Sequence, residues 1–207
     1  MELAIARAGF EVCNVDYPSR TASIAVLAEE AIKGALSDSK LRACSRIHFV
    51  THSLGGILVR SYFTHHAFER AGRVVMLGPP NRGSEVVDRL RDWWFFRKLN
   101  GPAGSELGTE ADSTPNRLGP VEFELGVIAG DRSINWINSL WIKGPDDGKV
   151  SVERTRVSGL KELLIVHATH PFLMRRRDVI EQTLHFLKTG AFSPELSLLS
   201  ADGVAHR

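Results

Sequence analysis

Cysteine is scarce: Cys13 and Cys44 are the only two in 207 residues. That number excludes a disulfide scaffold and a four-cysteine metal site, and their place beside apolar runs reads as two buried free thiols. Long hydrophobic runs are also missing, and none approaches the roughly 20 residues needed to span a bilayer. Residues 1–7 carry an acid early and a base within the apolar stretch, which is not the pattern of a secretory signal. The expected compartment is therefore the cytoplasm. Charge of one sign is not in excess either, since 26 basic against 24 acidic residues leave a net charge of +2. The one dense basic run, Arg175-Arg176-Arg177, reads as a solvated stretch before a helix, so nucleic acid is not an expected partner. No linker, repeat or low-complexity tract divides the chain. With 43% hydrophobic and 24% charged residues, it reads as one folded domain over residues 1–207.

Short apolar runs alternate with amphipathic stretches. Runs at 10–15, 47–50, 74–77, 125–129 and 163–166 read as strands covered on both faces. Between them, Ile24, Leu27, Ala31 and Leu36 repeat at helical spacing, with Thr21 or Ser23 as the N-cap. A last helix is expected to start at Asp178, with Glu181 three residues on as a capping box. Ile180, Leu184 and Leu187 would form its buried face, with Gly190 as the stop. Strand–helix alternation of this kind predicts an α/β fold, a mostly parallel sheet with helices on both faces. One segment, at about 92–120, breaks the rhythm and reads as an irregular, lid-like insertion. It opens with Trp93-Trp94-Phe95-Phe96. This cluster reads either as a helix end packed on the sheet or as an acyl-binding wall at a lid edge.

The chemistry concentrates where the strand at 47–50 runs into Thr51-His52-Ser53-Leu54-Gly55-Gly56, with a helical pattern at once behind it. A serine in a tight turn between strand and helix is held clear of the sheet, and small neighbours let the helix pack close. The helix N-terminus places the Leu54 N–H where negative charge would develop on an attacked carbonyl.

This segment resembles the nucleophile elbow of the α/β-hydrolase superfamily, in particular its bacterial lipase and esterase branch. Thr51 stands where that family's G-x-S-x-G has its first Gly, which crowds the turn. Two further segments resemble the family in the expected order. Pro145-Asp146-Asp147-Gly148-Lys149-Val150 looks like its acid loop and implies Asp147 as the acid. Ala168-Thr169-His170-Pro171-Phe172 looks like its histidine loop and implies His170 as the base. The resemblance thus implies a Ser53–His170–Asp147 triad, an oxyanion donor at Leu54, and an acyl-enzyme route for cleaving carboxylic esters. It implies no metal and no cofactor, and the partner would be a small-molecule or lipid ester.

Alternatives remain open at this level. Asp146 and Asp131 compete with Asp147, and His167 competes with His170. His52 is expected to point into the scaffold, His65 and His66 to be packed or solvated. Asn81-Arg82-Gly83-Ser84 looks like a loop bordering the cleft and is assigned no chemistry. The resemblance also implies a further strand and a His-Gly loop ahead of residue 1, carrying the second oxyanion N–H. Without them the expectation is a chain that lacks its front, and the competing reading is a catalytically impaired or non-catalytic relative. The run at 10–15 would then either pair directly with the strand at 47–50 or leave an apolar edge open. Acyl transfer or thioesterase chemistry could run on the same triad.

Overall fold

The computed structural model describes residues 1–133 and 141–195. Four strands, β1 (Ile47–His52), β2 (Ala71–Leu77), β3 (Leu125–Gly130) and β4 (Glu162–Val166), form one parallel sheet in the order β1-β2-β3-β4. The helices are α1 (Glu2–Arg7), α2 (Ile24–Leu36), α3 (Ser39–Arg42), α4 (Leu54–His65), α5 (Glu85–Leu90), α6 (Trp94–Ser105), α7 (Thr114–Arg117) and α8 (Arg177–Thr189). Short 3₁₀ turns lie at Glu153–Thr155 and His170–Arg175.

The alternation of side chains along the strands divides the core in two. Val75, Leu77 and Ile128 meet Leu173 and the α8 residues Val179, Phe186 and Leu187 on one face. Val74, Met76, Leu125 and Val127 meet Ile32 of α2 and Val59 of α4 on the other. β3 is buried along its whole length, as expected of a central parallel strand whose sequence is a continuous apolar run.

Ser23 caps α2, its side chain accepting the Val26 N–H. Gly190, in the left-handed region at φ 82°, ends α8 as expected. Four details differ from the sequence reading. Residues 10–18 are neither strand nor helix. Phe10 packs edge-on against His48, with ring centroids 5.9 Å apart, so this run meets β1 through side chains and not through a backbone ladder. The cap of α8 is Arg176, with Asp178 inside the first turn, where it pairs with Arg176. The buried stripe of α8 is Val179, Thr183, Phe186 and Leu187, rotated from the expected Ile180 and Leu184. The reason is Gly126 of β3: a Cβ there would meet the Phe186 ring at 2.7 Å, so its absence admits that ring. Cys13 and Cys44 are half-buried, not buried, and both are free thiols.

Between β2 and β3 the chain is more regular than expected, holding α5, α6 and α7. Gly101, at φ 66°, breaks α6 into two halves. The C-terminal half buries Ala103 and is followed by Leu107, and both join Ile24, Leu27, Ile57 and Leu58 in an apolar cluster. The N-terminal half begins with exposed aromatic side chains. Trp93, Trp94 and Phe95 are 66%, 73% and 56% exposed, so these three rings do not pack on the sheet. The kink uncouples them from the anchored half.

Candidate active site

The register His52–Leu77, Leu77–Ile128 and Gly130–Val166 brings the C-terminal ends of all four strands to one edge, where open parallel sheets place their sites. Ser53 lies there, between β1 and α4. Its φ of 54° and ψ of −122° make it the only non-glycine residue with positive φ among the described residues. Such a conformation costs on the order of 1–3 kcal/mol. It is held by the Ser53 N–H donating to Leu77 O (2.9 Å) and the Gly56 N–H donating to Ser53 O (3.1 Å). A Cβ at Gly56 would stand 3.0 Å from Met76 Sδ and 3.2 Å from Pro79 Cβ, so α4 sits directly on β2. Thr51 is accommodated because its neighbour in space is Gly55, whose ideal Cβ position is 3.4 Å from Thr51 Cβ.

The loop after β3 brings Asp147 to the histidine after β4. Asp147 Oδ2 lies 2.6 Å from His170 Nδ1, and both side chains are buried. A carboxylate only accepts hydrogen bonds, so Nδ1–H donates and the lone pair is left on Nε2. The other carboxylate oxygen, Oδ1, accepts the N–H groups of Lys149 (3.0 Å) and Val150 (2.9 Å). The His170 N–H donates to Asp147 O (2.9 Å), so backbone and side chain fix the two residues together. His170 Nε2 is buried and has no hydrogen-bond partner.

Two glycines make room for this pair. Gly78, at φ 54°, directly follows the Leu77 carbonyl that binds Ser53. A Cβ there would meet Asp147 Oδ2 at 2.9 Å and His170 Nδ1 at 3.0 Å. At Gly130 a Cβ would meet Ala168 O at 2.3 Å and Asp147 Cβ at 2.9 Å. Neither glycine was singled out from the sequence, because nothing local marks a glycine whose constraint comes from a loop far along the chain.

His52, next to Ser53, touches the same histidine. Its Nε2–H donates to His170 O at 3.0 Å, and the ring centroids are 4.6 Å apart. Burial, and then the neighbouring His170, push the His52 imidazole down to about 4. It is thus neutral at ordinary pH and supports the histidine loop.

The competing residues lie elsewhere. Asp131 pairs with His167 (2.9 Å), both partly solvent-exposed. Asp146 accepts the Gly148 N–H at 2.7 Å within its own turn. His66 pairs with Glu29 (2.7 Å), and His65 Nδ1 binds Ser61 O within α4. The 81–84 loop is a brace: Asn81 Nδ2 donates to Thr155 O, and Ser84 Oγ donates to Lys149 O at 2.7 Å, behind Asp147. Leu54 opens α4 and packs beside the cluster that holds Ala103 and Leu107, so the insertion borders the turn at Ser53. Among the described residues, no group of three or more His, Cys, Asp or Glu is placed to hold a metal ion. None of their helices is long and apolar enough to cross a membrane.

No family model and no curated protein matches the sequence. Solved structures do match the fold. The mature lipase BlEst2 of Bacillus licheniformis superposes with a TM-score of 0.58 at 19% identity, over 74% of this chain and 69% of that one. Phospholipase PlaB from Legionella pneumophila gives a TM-score of 0.70 at 16% identity, over 95% of this chain and 58% of that one. A Listeria innocua gene product gives 0.51 at 18% identity, over 84% of this chain. The parallel sheet and these likenesses give the chain an α/β-hydrolase fold, similar to that of these lipases and phospholipase. The chain spans little more than half the length of the Legionella enzyme.

Proposed function

We propose that the protein is a serine hydrolase of carboxylic esters, with Ser53 as nucleophile, His170 as general base and Asp147 as the acid that orients it. The observation that carries this reading is the buried Asp147–His170 pair, whose His170 Nε2 has no hydrogen-bond partner, Ser53 Oγ included, at the same edge of the sheet as the strained Ser53. A buried nitrogen left unpaired is costly unless something else occupies it in use. In this mechanism His170 Nε2 takes the proton of Ser53 Oγ as that oxygen attacks the ester carbonyl. The Asp147 carboxylate stabilises the imidazolium through Nδ1–H. The Leu54 N–H donates to the oxyanion, the alcohol leaves with the proton from His170, and water then releases the acid from the acyl-enzyme. The segment at 92–120 acts as the border of the acyl site.

A fluorophosphonate probe should label the protein, and Ser53→Ala should abolish labelling and ester turnover. A folded wild-type sample that takes no label and turns over no ester would instead support the non-catalytic reading. Removing one oxyanion donor typically costs ~10²–10³ in turnover. If Leu54 N–H works without a second donor, turnover should fall short by about that factor, while labelling at Ser53 persists.

A further inference from the structure

We propose that the edge of the sheet that carries Ser53 docks on an anionic membrane surface, through two exposed apolar patches set in basic sequence. The first patch is Trp93, Trp94 and Phe95, on the outer half of α6. The second is Phe172 and Met174, also exposed, in the turn that begins with His170. Together they hold five of the nine large hydrophobic residues that are exposed among the described residues.

The chemistry of the surroundings selects the occupant. Residues 89–98 contain Arg89, Arg91, Arg97 and Lys98 against the single acid Asp92, and residues 172–177 contain Arg175, Arg176 and Arg177 with no acid. The two stretches therefore hold seven basic residues and one acid, in a chain with a net charge of only +2. Some of this charge is already paired, Arg91 with Glu110, Arg176 with Asp178 and Arg177 with Glu181. Arg89, Lys98 and Arg175 are exposed. Tryptophan and phenylalanine beside cations suit the boundary between headgroups and acyl chains, where an indole has both an apolar and a polar neighbour. A purely apolar partner would leave these cations unmatched, whereas anionic headgroups match both features.

Topology places both patches on connections that leave the C-terminal edge of the sheet. α6 lies in the connection that leaves the C-terminal end of β2, and the Phe172 turn follows the C-terminal end of β4 directly. The anchored half of α6 packs beside Leu54, the residue after the serine. Its outer half, before the Gly101 kink, carries the exposed Trp94 and Phe95. The purpose of such docking rests on the ester-hydrolase reading, but the binding does not.

The test is co-sedimentation of the full chain with vesicles of phosphatidylcholine, alone or with about one third phosphatidylglycerol. Binding to the mixed vesicles should exceed binding to the neutral ones by tenfold or more, and should fall as salt is raised. The triple variant W93S/W94S/F95S should lose at least tenfold in partitioning, with its thermal melt unchanged. Reversing Arg89 and Lys98 to Glu should cost roughly fivefold or more per site. Ser53→Ala should bind as the wild type does, which separates this proposal from the catalytic one. Equal binding to both vesicle types, or full binding by the triple variant, overturns it. So does a dimer in solution that the triple variant dissolves without any vesicle binding, because the patch would then serve a second copy.

Discussion

At the residue scale, the candidate site depends on residues that surround the histidine on three sides. Asp147 holds Nδ1, Gly78 lies under the ring edge, and His52 binds the main-chain carbonyl. Asp147→Asn should lower kcat for a soluble ester by about 10⁴-fold with little change in KM, because an amide no longer enforces the tautomer that leaves the lone pair on Nε2. Gly78→Ala should displace the pair by its Cβ and lower kcat by at least about 10²-fold, with Ser53 labelling slowed in parallel. His52 carries a pH signature. The unfolded chain takes up its proton near 6.5 and the native one only near 4. The unfolded state therefore binds more protons between those values. Stability is full above pH 6.5 and falls as the pH drops towards 4, by up to about 3 kcal/mol from this group. Urea melts across that range should show the loss, and His52→Gln should flatten it.

At the element scale, the joint between α4 and the insertion is a buried cation without an acid. Arg60 donates to Asn81 O (2.8 Å), Pro115 O (3.0 Å) and Gly119 O (2.8 Å), and burial pulls its guanidinium down to about 10. Carbonyl dipoles replace the counter-ion, and a planar fork reaches the loop after β2 and both ends of the α7 region at once. Arg60→Met should leave each of those buried acceptors without a donor, costing about 1–3 kcal/mol apiece. Amide exchange of residues 115–119 should rise more than that of the strands. Arg60→Lys should not restore protection, since a single ammonium lacks the fork.

At the scale of the molecule, two apolar layers clasp one small sheet, and the insertion is tied to it beyond Gly101. The tie runs through Ala103, Leu107 and Arg60, while the half of α6 before Gly101 has exposed side chains at Trp93, Trp94, Phe95 and Lys98. Brief trypsin treatment should therefore cut between Arg89 and Lys98 well before it cuts within β1 to β3. The nicked pieces should stay together on native gel filtration and separate in urea, because the cluster on α2 and α4 holds both sides of the cut. Pieces that separate without urea would show the cluster to be weaker than its burial implies.

What the sequence determined by itself is what local chemistry encodes. The apolar runs of β1 to β4 mark strands wherever they occur, Ser23 and Gly190 mark helix ends by their own hydrogen bonding and φ, and a serine between strand and helix marks a turn. Tertiary structure alone decided the rest. Residues 10–15 have strand-like composition, but a strand exists only in a ladder, and no local feature supplies the partner. Asp146, Asp147 and Asp131 are alike as residues, and the distance that joins Asp147 to His170 is set by the fold of a loop closed by Val150 and by the 81–84 brace. The tryptophans at the start of α6 are as apolar as any core residue, and it is the fold that leaves them exposed. Periodicity is a property of neighbours along the chain, whereas partnership and exposure are properties of neighbours across it.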